Sequence, residues 1–359
     1  MTTLPNIFVS FRQLANTFIQ RSQRGNVILI IKDGTDKTFS LKQYKDLKEF
    51  DAEKEKYTEE NRVYIKDSFI GAPANVYVLR IDDDATLTSD NLDTLKGLKT
   101  GWIGGHEILK AETDVLTEWI KGEREEHYTF KAVITDPTNA PKDKGIVEIN
   151  KDMIAVFKDD RNSKTAKDII PTILSLLAGA NVEKGTTYLP LNNLKSVINT
   201  ASSQEDIEAG KMPIIMDENI VKIGLGINSL TEFKDKVDDE RYIEIVEVQD
   251  LINDDLTKTF KMYIGRKNSL DTQMIVISAT NNYFKELSVD EILDPNFNNK
   301  SSIDVNSQRD EWIMINPDAR EWDDTKVINN VYKNKMFLNA NVKILFAVKD
   351  IQLNITMNN

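Results

Sequence analysis

The chain has 359 residues, 40% of them hydrophobic, enough for two or three domains with a sizeable core. With 46 basic and 58 acidic residues it carries a net charge of −12, which argues against nucleic acid or an anionic membrane as a principal partner. Zero cysteines exclude a disulfide framework, thiolate zinc sites and a cysteine nucleophile. The first residues, MTTLPNIFVSFRQLANTF, lack the basic, apolar, small-residue order of a secretory leader. The longest apolar stretch, 169–180, is too short to cross a bilayer and contains Pro171. A soluble protein made in the cytoplasm is the expectation.

Ile7, Val9 and Phe11 alternate after Pro5 and predict a short N-terminal strand. Residues 27–31 form a continuous apolar run closed by Asp33-Gly34, the pattern of a buried strand followed by a turn. A charge-rich stretch, 41–60, reads as helical, and 76–81 as the next buried strand. A helix over 92–98 precedes Trp102-Ile103, and 107–121 forms a second helix with Ile108, Leu116, Trp119 and Ile120 on one face. Strands follow at 128–135, 146–149 and 153–157, then an apolar helix over 165–178 ended by Gly179. This alternation predicts an α/β domain whose sheet is covered on both faces. Short strands at 213–216 and 220–223 come next. Helices at 249–264 and 272–287 then mark a change of grammar, with 241–248 compatible with helix or strand. Polar loops rich in Asn and Asp separate the closing strands, and there is no internal repeat.

Catalytic signals are sparse. The histidines are His106 and His127, each set among polar residues and read as surface groups. His106-Glu107 opens a zinc-protease pattern, but Lys110 stands where its second histidine belongs. No G-x-S-x-G serine turn occurs. GANVEKGTT (179–187) places Lys184 before the last glycine and follows a helix, the reverse of a phosphate loop. GLGINS (224–229) ends in Ser229 where the dinucleotide fingerprint needs glycine. Asp82-Asp83-Asp84 lacks calcium-loop spacing, and the acidic runs 123–126 and 238–240 read as solvated faces. No catalytic residue, cofactor site or metal site is assigned.

The terminus raises a different question. Val342, Ile344, Phe346 and Val348 alternate on even numbers; Ile351, Leu353, Ile355 and Met357 alternate on odd ones. Lys349-Asp350 shifts the phase, so one straight strand would aim the two runs at opposite faces. Either a bulge within one domain or a separate arm explains the shift.

In order, LAGANVEKGTTYLPL, QEDIEAGKMPIIMDENIVKIGLGINSLT, DLINDDLTKTFKMYIGRKNS and the closing DIQLNI resemble the tail sheath proteins of contractile phages and R-type bacteriocins. The likeness covers 177–359 firmly and 92–157 more loosely. The absence of a Pro-Gly-Val-Tyr start and of a long insertion between Ile81 and Leu92 suits compact Firmicutes phage or diffocin-like sheaths. The resemblance implies an N-terminal arm (1–20), a first part of the body (21–90) and an α/β sheath domain (91–235). That domain has a subtilisin-like fold without the protease's catalytic residues. An α+β inner domain (236–348) and a C-terminal β-arm (349–359) complete the chain. It further implies that Ile7, Val9 and Phe11, with Ile351, Leu353, Ile355 and Met357, add strands to neighbouring subunits, with Lys349 and Asp350 as the arm's hinge. The implied partners are further copies in stacked hexameric rings, an inner tail tube, a baseplate and a tail terminator, in a virion tail or bacteriocin particle. The implied role is structural, not enzymatic. The rival is an α/β enzyme or nucleotide-binding protein with its site near 179–187 or 224–229.

Overall fold

The structure is a computed structural model that describes residues 19, 25–180, 182, 185–233 and 238–357. These fall into two compact units, one built on Ser22–Asp254 with the chain from Phe346 onward, the other on Asp255–Leu345.

The first unit centres on a six-stranded sheet in the order β2-β3-β1-β4-β5-β6. Its strands are β1 (Asn26–Lys32), β2 (Leu41–Tyr44), β3 (Asn75–Ile81), β4 (Thr100–Gly104), β5 (Thr129–Thr135) and β6 (Ile146–Ile149). All neighbours are parallel except β2, which runs antiparallel to β3. The period of two along β1 feeds two cores. Val27, Leu29 and Ile31 join the core that contains helix α5 (Ile170–Gly179), through Ile170, Ile173, Leu174 and Leu177. Ile28 and Ile30 join the opposite core, where helix α4 (Lys110–Glu125) supplies Leu116, Trp119 and Ile120. A strand buried on both faces reads as a near-continuous apolar run, which is why Val27 to Ile31 shows no alternation. The α5 C-terminus comes so close to Gly71 that a side chain at Gly179 would collide with the Gly71 carbonyl.

Several expectations need correction. The stretch 41–60 opens with strand β2, because Leu41–Tyr44 pairs with Leu79–Val76 and buries Tyr44. Helix α1 (Leu47–Glu53) starts only after Asp46, whose carboxylate accepts from the Glu49 amide at 2.9 Å. Helix α2 (Glu59–Asp67) follows a break at 54–57, where Tyr57 turns inward against the Tyr44 hydroxyl at 2.9 Å. Helix α3 (Ser89–Asp93) begins earlier than expected, at a capping box of Thr88 and Asn91. Helix α4 starts at Lys110, where the buried Glu112 carboxylate accepts from the Leu109 and Leu87 amides and pairs with Lys32 at 2.9 Å. Within the acidic run 123–126, Glu123 is buried and paired with Lys96 at 3.1 Å.

A second sheet, β8-β7-β9, joins β7 (Ile154–Phe157), β8 (Ser163–Thr165) and β9 (Leu194–Ile198); a hairpin follows helix α6 (Ser203–Glu208), with β10 (Ile214–Asp217) and β11 (Ile220–Ile223). Helix α7 (Ile243–Phe260) settles 241–248 as helical from Ile243. Its first turns are held by buried ion pairs: Arg124 is bidentate on Asp250 at 3.0 Å, and Lys131 reaches Asp250 at 3.0 Å and Glu247 at 2.9 Å.

In the second unit, helix α8 (Leu270–Val289) is capped by Ser269 and buries Val276, Ile277, Tyr283, Phe284 and Leu287. The Tyr283 hydroxyl donates to Asp255 at 2.7 Å. Strands β12 (Lys300–Ile303) and β13 (Leu338–Asn341) form a two-stranded antiparallel sheet. Between them lie α9 (Val305–Ile313) and α10 (Asp324–Asn329), joined by the Gln308 amide on the Val327 carbonyl at 2.7 Å. The expected closing strand at 342–348 is not formed. Pairing with β12 ends at Asn341, and beyond it the Asp294 amide on the Lys343 carbonyl at 2.8 Å, an isolated bridge of Ile344 with Leu293 and the Leu345 amide on the Ile292 carbonyl hold the chain without forming a strand.

Candidate assembly site at the C-terminal segment

The last described residues, 346–357, leave the fold through a clasp. Lys349 Nζ lies 3.0 Å from the buried Glu244 carboxylate and 3.2 Å from the centre of the Tyr242 ring. Phe346 packs edge-on against Tyr242 with ring centres 5.8 Å apart. Ala347 sits where a side chain at Gly185 would otherwise be. Tyr242 and Glu244 stand at the start of α7, so the ion pairs of Arg124 and Lys131 with that helix also fix the clasp. Cation–π contact and ion pairing reinforce each other here, since Glu244 is largely removed from solvent.

Past the clasp the chain is bare. Ile351, Leu353, Ile355 and Met357 are 88%, 76%, 76% and 86% exposed. Asp350, Gln352, Asn354 and Thr356 are exposed as well, and no strand forms over 351–357. Among the described residues, no backbone hydrogen bond ties this segment to the body. Ile7, Val9 and Phe11 lie outside the described residues. Lys349 and Asp350 mark the transition, with Lys349 held and Asp350 exposed. Tyr242, Glu244 and Phe346 are the partners that reading the sequence missed.

The sheet of the second unit has a related feature. On its β12 side the Asn281 side chain from α8 takes the backbone, accepting from the Ser301 amide at 2.7 Å and donating to its carbonyl at 3.3 Å. On its β13 side, Asn339, Ala340 and Asn341 are exposed and no further strand pairs with them among the described residues. An open strand edge is a template for an incoming strand.

The remaining candidates behave differently. His106 is not a surface group: it is 3% exposed and its ring stacks on Tyr64 with centres 3.8 Å apart. Burial lowers its pKa to about 4, opposed by the Asp168 carboxylate and reinforced by Lys167, Lys164 and Arg161. Neither ring nitrogen has a hydrogen-bond partner among the described residues, so no serine is poised on it. His127 is exposed at a positive-φ turn. In 224–229, Asn228 bonds the Arg241 and Glu240 carbonyls at 2.9 and 2.7 Å, and Ser229 bonds the Asp143 and Ile146 carbonyls at 3.0 and 2.8 Å. A side chain at Gly226 would strike Thr186. The segment is packed against its own chain, leaving no cradle for a phosphate. Lys184 lies outside the described residues. Among the described residues no cluster of three or more acidic or histidine side chains is placed to hold a metal, and no helix is long and apolar enough to cross a membrane.

Residues 235–358 match the phage tail sheath C-terminal domain family. The tail sheath protein of Clostridium phage phiCD119 is 29% identical over 99% of this chain and 100% of its own length. Among solved structures, the helical sheath of the anti-feeding prophage in its contracted state superposes with a TM-score of 0.70 at 14% identity, covering 100% of both chains. A sheath tail protein from Desulfitobacterium hafniense superposes at 0.69 and 14% identity, over 84% of this chain and 94% of that one. At such identities these two structures speak to the fold. The chain is thus similar to contractile phage tail sheath proteins along its length, and residues 235–358 carry the match to their C-terminal domain.

Proposed function

We propose that the subunit polymerises by strand exchange, as stacked hexameric rings around an inner tail tube, between a baseplate and a tail terminator. The observation that carries this reading is the apolar, unpaired segment beyond Lys349. Each of its four apolar side chains stands to gain roughly 1.5–3 kcal/mol on burial, and each backbone hydrogen bond roughly 0.5–1.5 kcal/mol. Ordering the segment costs about 1–2 kcal/mol per residue. The surplus per contact is modest, and its repetition at every subunit favours polymer over monomer. The open β13 edge is the acceptor this chemistry requires, and Ile7, Val9 and Phe11 supply the second half of the exchange.

Contraction is then a lattice rearrangement of nearly rigid bodies joined by the exchanged strands, driven by surface buried and charges re-paired between copies. A contracted state named for the anti-feeding prophage sheath supports a second lattice state for this chain. The helix-covered parallel sheet fits a subtilisin-like scaffold that has kept the fold without the chemistry. Electron microscopy of the purified full-length protein tests the reading: striated tubes support it. Monodisperse particles under all assembly conditions would favour the α/β enzyme or nucleotide-binding alternative.

A further inference from the structure

A parallel sheet has one position where its connections depart to opposite sides, and ligands collect there, at the carboxyl ends of the strands. In this sheet that position lies between β1 and β4, since the chain passes from β1 toward β3 on one side and β4 stands on the other. The loop after β4 carries His106 and Glu107, and the Glu107 carboxylate accepts from the Lys32 amide at the end of β1 at 3.3 Å. His106 and Glu107 line a crevice of about 460 Å³, together with Glu60, Lys164, Lys167 and Asp168.

Three features make this crevice more than a surface dent. His106 is buried with both ring nitrogens unpartnered among the described residues, and leaving such groups unsatisfied is destabilising. Lys164 and Lys167 form no ion pair among the described residues, whereas Asp168 is already committed to the Tyr64 hydroxyl at 2.5 Å and to Thr165. Glu107 Oε2 stands 4.0 Å from His106 Nε2, too far for a direct hydrogen bond and close enough for one oxygen to bridge.

The lysines call for an anion, yet Glu107 and Glu60 repel one that offers only lone pairs. An oxyanion that keeps a proton meets both demands. We propose that this crevice binds hydrogen phosphate: its oxygens accept from Lys164 and Lys167, and its hydroxyl bridges the His106 ring N–H and the Glu107 carboxylate. Sulfate has the same shape and charge but no proton at neutral pH, so it would set a lone pair against Glu107. The site belongs to the single subunit and does not depend on assembly.

The sequence contains only two histidines, which makes the test direct. The full-length protein with labelled histidines is titrated with sodium phosphate and, separately, with sodium sulfate at fixed ionic strength, while the imidazole signals are recorded. Phosphate should shift the His106 signals saturably and leave those of exposed His127 unmoved; sulfate should act at least about tenfold more weakly. Lys164→Met with Lys167→Met should weaken phosphate binding about tenfold or more. Glu107→Gln should erase most of the preference over sulfate, because an amide can donate to it. Circular dichroism of each variant confirms the fold, and calorimetry repeats the comparison on assembled protein. No response to phosphate, equal responses to both anions, parallel movement of both histidines or undiminished binding by the lysine variant would each overturn the proposal.

Discussion

Strand β1 and the C-terminal segment are made of the same kinds of residue and meet opposite fates. Val27 to Ile31 are essentially inaccessible, paired with β3 throughout and with β4 over 27–29, and packed on both faces. Ile351, Leu353, Ile355 and Met357 are almost fully exposed, with no strand beside them. Hydrophobicity alone therefore does not say where a strand ends up; what matters is whether the same chain supplies its neighbours. In β1 it does. At the C-terminus the fold provides an anchor, the Lys349 clasp, and leaves the apolar side chains beyond it exposed, which the proposed strand exchange would cover.

That contrast can be broken at either end, and the largest effect lies in the core. Leu29→Ala removes a fully buried side chain at the centre of the sheet and should cost about 2–5 kcal/mol in urea unfolding.

Acid should weaken the same unit through His106. The imidazole is neutral in the folded state down to about pH 4 but takes up a proton near 6.5 when unfolded. Its contribution is therefore complete above about pH 6.5 and is lost as pH falls toward 4, about 3 kcal/mol in all. The stability difference between wild type and His106→Gln, measured across this range, should carry that slope; a difference independent of pH would remove the assignment.

The clasp should matter less. Lys349→Met leaves Glu244 buried without its cation and should cost about 1–3 kcal/mol, most of it recovered when Glu244→Gln is added. A double-mutant cycle with no coupling would mean that the clasp does not form in solution. Smallest of all, Leu353→Asp should change the stability of the isolated subunit by less than about 0.5 kcal/mol, because the residue is 76% exposed.

What the sequence revealed follows the same division between local and distant causes. The runs at 27–31, 76–81 and 128–135 were legible because a strand buried on both faces is predominantly apolar, even where Arg80 or Lys131 interrupts it. Strands β2 (LKQY) and β13 (LNAN) were not, since each has an exposed side and polar residues that conceal its pairing. His106 looked like a surface group because its sequence neighbours are glycine and glutamate; the burial comes from Tyr64 on α2. The odd-numbered apolar run at the terminus was legible from its period alone. Its anchor was not, because Tyr242 and Glu244 belong to a distant helix.

The most direct test of the account is removal of the segment itself. A chain ending at Asp350 keeps the clasp and loses only residues that make no backbone hydrogen bond to the body among those described. Circular dichroism and size-exclusion chromatography should show a folded subunit with the stability of the full chain. Electron microscopy should show no stable tubes under conditions where the full-length protein forms them. Normal tubes from the shortened chain would contradict strand exchange, and loss of folding would mean that residues 351–359 belong to their own body after all.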